Sequence, residues 1–298
     1  MNDLTTLMRQ TAKELLENQE VSLVLGWEKG TFWYQSPPAF IKKAEDAERL
    51  VWDDFCLANL AHYLLDYRYS DQKIALFVKG CDSRGVNRLL QDLQVKRERV
   101  VLIGIPCPGL KDAQKALLLS PDEQEKLPLA ARCQDCRYHN PVVYDRLLGE
   151  KLGEDAAAAR DPYAQIAAEE TKTPDERYQT WESAFSRCIR CFACRNVCPA
   201  CNCTVCCFDL PRVQWISKQI TPADNAGYLL TRAFHVAGRC IECGECEEVC
   251  PMGLPLMQLN KKIAKDIREL FEAGDAGVSL EVPPPLGIYS LDDPDQFM

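Results

Sequence analysis

Two stretches of the chain, Cys188, Cys191, Cys194 and Cys198 followed by Pro199, and Cys240, Cys243, Cys246 and Cys250 followed by Pro251, share the spacing C-x2-C-x2-C-x3-C-P. Three cysteines at two-residue intervals wrap one face of an iron-sulfur cubane, and the fourth, turned away by the proline, reaches a second cluster. The spacing therefore predicts two [4Fe-4S] clusters with crossed ligands. Cys188, Cys191, Cys194 and Cys250 hold one, and Cys240, Cys243, Cys246 and Cys198 hold the other. Paired C-x2-C groups also make zinc sites, but a tetrahedral zinc site does not need a third and fourth cysteine with a trailing proline in each run. A segment built this way folds around metal in place of a large apolar core.

The remaining composition agrees with intracellular metal ligation. Seventeen cysteines occur in 298 residues. The first twenty residues form a polar amphipathic stretch without a signal-peptide core, which predicts a cytoplasmic protein. In that compartment thiols stay reduced and a disulfide framework is not expected. No apolar run approaches the ~20 residues of a membrane span. A net charge of −9, from 44 acidic and 35 basic residues, argues against a nucleic-acid partner.

Five cysteines are scattered over residues 1 to 150, and twelve crowd into residues 188 to 250. At about 150 residues per domain the length suggests two domains. Residues 1–150 read as an α/β domain with parallel strands, residues 151–180 as a solvated helix or linker with the boundary near 170, and residues 181–272 as a small, mainly helical ferredoxin-like iron-sulfur domain. Residues 273–298 read as a proline-rich acidic tail without regular structure, either disordered or a strap on a partner. In the first domain, Ser22 to Trp27, Ile74 to Lys79 and Val100 to Ile105 are short buried-strand patterns. A helix from Asp82 to Val95, with Val86, Leu89, Leu90 and Leu93 on one face, joins the last two as a βαβ unit. A further helix is expected from Ala44 to Arg68. Helical stretches in the second domain are Trp181 to Arg190, Ala223 to Ala237 and Pro255 to Glu272.

A third cluster is expected in the α/β domain. Cys81 and Cys107 follow two strands and so fall at the carboxyl edge of a parallel sheet, where such folds place ligands. Cys133 and Cys136 add a C-x2-C pair. Cys56, in the apolar stretch DDFCLANLAHYLL read as helix, competes with Cys81 for the fourth position. Cys201, Cys203, Cys206 and Cys207 lie in the 41-residue insert between Cys198 and Cys240; they are either ligands of an additional cluster or small residues packed beneath the clusters. Dinucleotide and phosphate-loop fingerprints are missing, and His62, His139 and His235 share no metal spacing. The loop Gly80 to Gly85 (GCDSRG) offers an anion site at a helix N-terminus beside Arg84, or else an ordinary capped helix.

The segments KGCDSRG, IGIPCPG and CQDCRYHNPVVYDRLLGE resemble the beta-subunit family of deazaflavin-coenzyme-reducing hydrogenases and formate dehydrogenases. The resemblance implies an iron-sulfur cluster supported by a G-x-P-C turn at Cys107 and a later pair at Cys133 and Cys136. The order RCIRCFACRNVCP then RCIECGECEEVCPMG also resembles dicluster electron-transfer proteins associated with heterodisulfide-reductase-like and formate dehydrogenase complexes. The CCG signature of heterodisulfide reductase modules is absent, because Phe208 follows Cys207. In the hydrogenase beta subunits a ferredoxin-like cysteine group precedes the α/β domain; here it comes last, and no flavin site transfers residue by residue.

The resulting reading is an electron-transfer subunit relaying single electrons through two or three [4Fe-4S] clusters, with redox subunits such as heterodisulfide-reductase-like or dehydrogenase components as partners. The alternative is a flavin-containing oxidoreductase subunit that exchanges hydride with a deazaflavin or nicotinamide coenzyme. Charge around the motifs predicts their order of reduction. Arg187, Arg190 and Arg195 surround the first, and Glu242, Glu245, Glu247 and Glu248 surround the second, so the Cys240 cluster is expected to be the harder to reduce.

Overall fold

Apolar residues at positions 8, 12 and 15 put Met8, Ala12 and Leu15 on one face of the first helix, α1 (Asn2–Glu17), and all three are buried. This helix precedes a five-stranded sheet: β1 (Leu23–Trp27), β2 (Pro38–Ile41), β3 (Ile74–Val78), β4 (Val100–Gly104) and β5 (Arg146–Leu147), in the order β2-β1-β3-β4-β5. Only β2 runs antiparallel to its neighbour. Burial of every residue of β1 and β3 explains their unbroken apolar sequences. The computed structural model describes residues 2–153, 161–288 and 291. It divides into two compact units, residues 1–160 with 277–279, and residues 161–276 with 280–298.

Helix α2 (Gly80–Gln91) makes the expected βαβ unit with β3 and β4, but starts earlier and stops sooner than the sequence suggests. Asp82 lies inside the first turn, not at its mouth, and its carboxylate accepts from the Lys79 backbone N–H at 2.9 Å. Leu93 lies beyond the helix, with φ at 56° and 90% exposed, so the apolar face is carried by Val86 and Leu89.

The helix expected over Ala44 to Arg68 is instead two 3-10 segments, Ala44–Arg49 and Ala61–Tyr67, with Cys56 in the loop between them. Side chains that compete with helical hydrogen bonding explain the break. Asp53 accepts from the Phe55 N–H at 2.8 Å and from the Ser36 hydroxyl, Asn59 accepts from the Ala61 N–H at 3.1 Å, and Asp82 accepts from the Leu60 N–H at 2.6 Å.

The second unit is built from helices α3 (Ala164–Glu170), α4 (Pro174–Ser186), α5 (Ala193–Asn196), α6 (Pro222–His235), α7 (Glu245–Glu248) and α8 (Leu256–Phe271). Residues 161–180, expected to be solvated, belong to this unit. Glu170 pairs with Lys262 at 2.7 Å and Lys265 at 3.0 Å, and the half-buried Trp181 packs at a tilt against Phe185, ring centroids 5.6 Å apart. The middle of the expected linker, 154–160, lies outside the described residues. The expected tail departs from an irregular end in two places: Pro285–Gly287 is a 3-10 turn, and residues 277–279 join the first unit. There the Asn87 side-chain amide donates to the Gly277 carbonyl and that of Gln91 to the Ser279 carbonyl, both at 2.9 Å.

Candidate metal centres

The two cysteine motifs repeat in backbone conformation as well as in sequence. Two residues after the first cysteine, Arg190 (φ 49°) and Glu242 (φ 55°) are left-handed; four residues after it, Phe192 (φ 60°) and Gly244 (φ 72°) are left-handed again. One short helix then follows in each, α5 and α7, and the two pack together. Such turns aim backbone N–H groups at sulfur. The Arg190 N–H donates to Cys188 Sγ and the Glu242 N–H to Cys240 Sγ, both at 3.4 Å. Glycine meets the second left-handed position without strain at 244, whereas Phe192 adopts it with its ring packed edge-on against Tyr228, centroids 5.1 Å apart.

Cys250 is among the charges acting on Cys188 and Cys194, and Cys198 among those acting on Cys240, Cys243 and Cys246. Burial pushes the Cys188 thiol up, the Arg190 N–H pulls it down, and Cys194, Cys250 and Cys191 push it up again. Cys194 is likewise raised by burial, with Arg232 and the Tyr228 hydroxyl opposing and Cys250 and Cys191 adding. Conversely, burial raises Cys240, Cys243 and Cys246, the last to about 12, and Cys198 acts on all three. Among the described residues no group of three or more His, Cys, Asp and Glu side chains could hold a single metal ion. In a cubane each thiolate binds its own iron, so its ligands do not converge on one point.

Further groups point at these sulfurs. The Tyr228 hydroxyl lies 3.7 Å from Cys194 Sγ, the Asn260 side-chain amide 3.6 Å from Cys246 Sγ, and the Leu254 N–H donates to Cys250 Sγ at 3.5 Å. Glu247 caps α8 by accepting from the Met257 N–H at 2.8 Å, fixing the second motif to the helix that carries Asn260.

Arg232, on α6, has no counterpart in the sequence reading. Its guanidinium is buried, donates to the Cys194 carbonyl at 2.9 Å, and leaves Nε without a hydrogen-bond partner. Among the described residues no carboxylate pairs with it, and the groups that hold its proton most strongly are Cys198, Cys246, Cys201 and Cys194, against the cost of burial. An unpaired buried guanidinium costs several kcal/mol, so this environment requires an anion. Iron-bound thiolates supply one, and the donors aimed at sulfur suit the same state. The residues present therefore fit a [4Fe-4S] pair.

In the first unit, Cys81 and Cys107 follow β3 and β4 at the carboxyl edge of the sheet, Cys136 acts on both and Cys133 on Cys107. Burial raises Cys81 well above the usual thiol range, with Cys136 and Cys107 among its neighbours. Burial pushes Cys107 up to about 12, with Cys133 and Cys136 adding and the Gly109 N–H opposing. The Cys107 N–H donates to the His139 carbonyl at 2.8 Å, tying the strand end to the loop after Cys136. Lys79 stands beside Cys81 and Cys107, buried, 3.0 Å from Asp82 and with its ammonium 3.9 Å from the Trp27 ring centroid. Cys56 is not among the thiols that act most on Cys81 or Cys107. Its Sγ accepts from the Asp53 N–H at 3.3 Å, and after burial its strongest electrostatic neighbours are Asp53 and Lys79.

The anion-site reading of GCDSRG fails on geometry. A Cβ on Gly80 would lie 1.9 Å from the Tyr138 carbonyl oxygen, so backbone already covers this helix start. The Lys79 ammonium is engaged by the Cys56 and Ala58 carbonyls at 3.0 and 3.1 Å, and the Ser83 hydroxyl donates to the Gly80 carbonyl. Gly80→Ala is thus expected to cost about 1–3 kcal/mol, seen as a lower urea midpoint at unchanged slope.

In the insert, Cys201 donates to Cys198, which pulls Cys198 down to about 5 and raises Cys201. Cys206 and Cys203 act on Cys207, and Cys206 also hydrogen-bonds Arg195.

Comparison with known proteins follows the same division. Residues 184–254 match the family model for the 4Fe-4S dicluster domain. The F420-dependent formate dehydrogenase subunit beta of Methanocaldococcus jannaschii is 23% identical, covering 91% of this chain and 91% of that protein. The F420-dependent formate dehydrogenase 1 subunit beta of Methanococcus maripaludis is 26% identical, covering 92% of this chain and 91% of that protein. The protein is thus an iron-sulfur chain with a 4Fe-4S dicluster domain at residues 184–254, similar over 91% of its length to a formate dehydrogenase beta subunit.

Proposed function

We propose that the protein is the electron-transfer subunit of a formate dehydrogenase-like complex, relaying single electrons through two [4Fe-4S] clusters in the second unit and a third in the first. The observation that carries this reading is the repeated turn of the two motifs, in which the Arg190 and Glu242 N–H groups donate to Cys188 and Cys240 Sγ at 3.4 Å, within the segment 184–254 that matches the 4Fe-4S dicluster domain. Cys188, Cys191, Cys194 and Cys250 would hold one cluster, Cys240, Cys243, Cys246 and Cys198 the second, and Cys81, Cys107, Cys133 and Cys136 the third. When bound, the clusters supply one-electron acceptance and donation without covalent substrate chemistry. The protein's own residues bury Cys107, Cys188, Cys194 and Cys246, aim N–H donors at Cys188 and Cys240, and place Arg232 and Lys79 as buried cations nearby. Burial raises Cys81, Cys107, Cys188, Cys194, Cys240, Cys243 and Cys246, so metal binding would remove their protons, whereas the Cys201 hydrogen bond already pulls Cys198 down.

The flavin reading gains no support here: Cys81 and Cys107 follow β3 and β4 at the carboxyl edge where a flavin would sit, and the Tyr138 carbonyl closes over Gly80 at the start of α2. Partners would be the dehydrogenase and acceptor subunits of such a complex. No helix among the described residues is long and apolar enough to cross a membrane. The test is iron and acid-labile sulfide per chain in anaerobically purified protein, with spectroscopy after reduction. About twelve irons are expected; about eight would remove the third cluster, and none would remove the reading altogether.

A further inference from the structure

The two cysteine motifs of the second unit carry opposite charge. Residues 187–220, the first motif with the start of the insert, hold five basic side chains and one acidic, Asp209, whereas residues 242–248 hold four glutamates and no base. Asp209 is paired with Arg195 at 2.9 Å. Two further acids lie close in sequence. Asp224 accepts from the Ser217 N–H and hydroxyl and from the Thr221 hydroxyl, and Glu182 on α4 accepts from the Tyr178 hydroxyl at 3.2 Å. Arg187, Arg212 and Lys218 remain exposed, in a chain whose net charge is −9.

The same stretch displays apolar side chains. Ile189, Leu210, Val213, Trp215 and Ile220 are each between 43% and 69% exposed. Contacts on both sides hold the stretch against the first motif. On one side Asp209 pairs with Arg195 and the Phe208 ring meets Tyr228, centroids 5.0 Å apart; on the other, Ile216 packs on the apolar core and the Ser217 carbonyl accepts from Arg190 at 2.6 Å. Residues 210–215 are thereby presented to solvent from fixed ends. Exposed apolar groups bordered by like charges are the make-up of a protein-binding surface. Cys191 adjoins Arg190 and, of the eight motif cysteines, all among the described residues, is the only exposed one. Electron transfer between proteins falls off steeply with distance, so the centre with a ligand at the surface is the one that serves a partner.

We propose that the insert and the first motif form a docking face for an acidic electron-carrier protein, with Trp215 as its apolar anchor, Arg187, Arg212 and Lys218 as its cations, and Cys191 as the point of electron exchange. The inference rests on the two-cluster reading above and adds to it the face used and the charge of the partner. One electron crosses from the carrier's reduced iron-sulfur cluster to the centre bound by Cys191; no bond forms or breaks and no proton is transferred. Charge complementarity selects the partner. A carrier with carboxylates around its own cluster is attracted to this face and repelled by the glutamates of residues 242–248.

The experiment mixes full-length iron-loaded protein with a purified acidic two-cluster bacterial ferredoxin as the probe, reading affinity by titration calorimetry and electron transfer by stopped flow, at low and high salt. Arg212→Glu combined with Lys218→Glu is expected to weaken binding by about tenfold at low salt, a loss that shrinks as salt rises, with the electron-transfer rate falling in step. Trp215→Ala is expected to weaken it by about tenfold at both salt concentrations. The side chain is 65% exposed, so its removal costs little in folding. Lys13→Glu combined with Lys115→Glu, both exposed in the first unit, changes net charge equally and should leave affinity within about twofold. Equal losses in the two charge-reversed pairs would leave only a net-charge effect and overturn the docking face. So would binding untouched by Trp215→Ala, the mark of a general anion surface, or no binding of the ferredoxin by iron-loaded protein. Absence of iron from the unmodified protein would instead remove the cluster reading on which the proposal rests.

Discussion

Full-length protein with Cys250 replaced by serine is expected to lose the centre of the first motif, not of its own. Cys250 follows Cys246 by four residues, yet Pro251 directs the chain away and the Leu254 N–H meets its sulfur at 3.5 Å in the turn leading to α8. It is also one of the charges that raise the Cys188 and Cys194 thiols. Iron should fall by about four per chain. The resonance that disappears should match the one lost in Cys191→Ser, and the one that remains should match the one lost in Cys243→Ser. Cys198→Ser should show the reverse pattern. If Cys250→Ser instead reproduces the spectrum of Cys243→Ser, each motif closes on its own cluster and the crossed ligand sets are wrong.

The parts of this molecule that were legible in sequence are those in which one residue type at a fixed interval has one physical outcome. The C-x2-C-x2-C-x3-C-P repeats locate eight thiols, and unbroken apolar runs locate β3 and β4 because both faces of those strands are buried. Strand β2 was not legible, since Pro38–Ile41 is short, half-exposed at an edge and carries no run. The break around Cys56 was missed because apolar periodicity in DDFCLANLAHYLL resembles a helix, while what decides the loop is tertiary: Asp82, 22 residues from Leu60 in sequence, accepts that residue's N–H. Arg232 was missed for a similar reason. On an amphipathic helix an arginine reads as a solvated residue, and only the packing of α6 against the first motif shows that its head group is buried. Its location after the helix's apolar positions Tyr228 and Leu229 was the sole available hint.

Replacing Cys133 and Cys136 together by serine in the full-length chain is expected to remove about four irons while leaving both resonances of the second unit intact. The expectation follows from separation of the ligand sets: beside Lys79, Asp82 and the Gly109 N–H, the thiols that act on Cys81 are Cys136 and Cys107, and those that act on Cys107 are Cys133 and Cys136, none from the second unit. The fourth ligand is then decided by single changes. Cys81 stands in the first turn of α2 beside this group, so Cys81→Ser should cost the same iron as the double variant. Cys56 is fully buried against Asp53 and the Val51 carbonyl, 3.6 Å from its Sγ, so Cys56→Ala should keep all of the iron and lose stability through packing alone. Small buried truncations of this kind cost on the order of 1–2 kcal/mol, visible as a lower urea midpoint. Full iron in Cys81→Ser together with loss in Cys56→Ala would make Cys56 the ligand and require the Asp53 loop to open. An iron content unaffected by the double change would return all four thiols to structural roles, because no arrangement of a third cluster survives without the C-x2-C pair that follows the Cys107 turn.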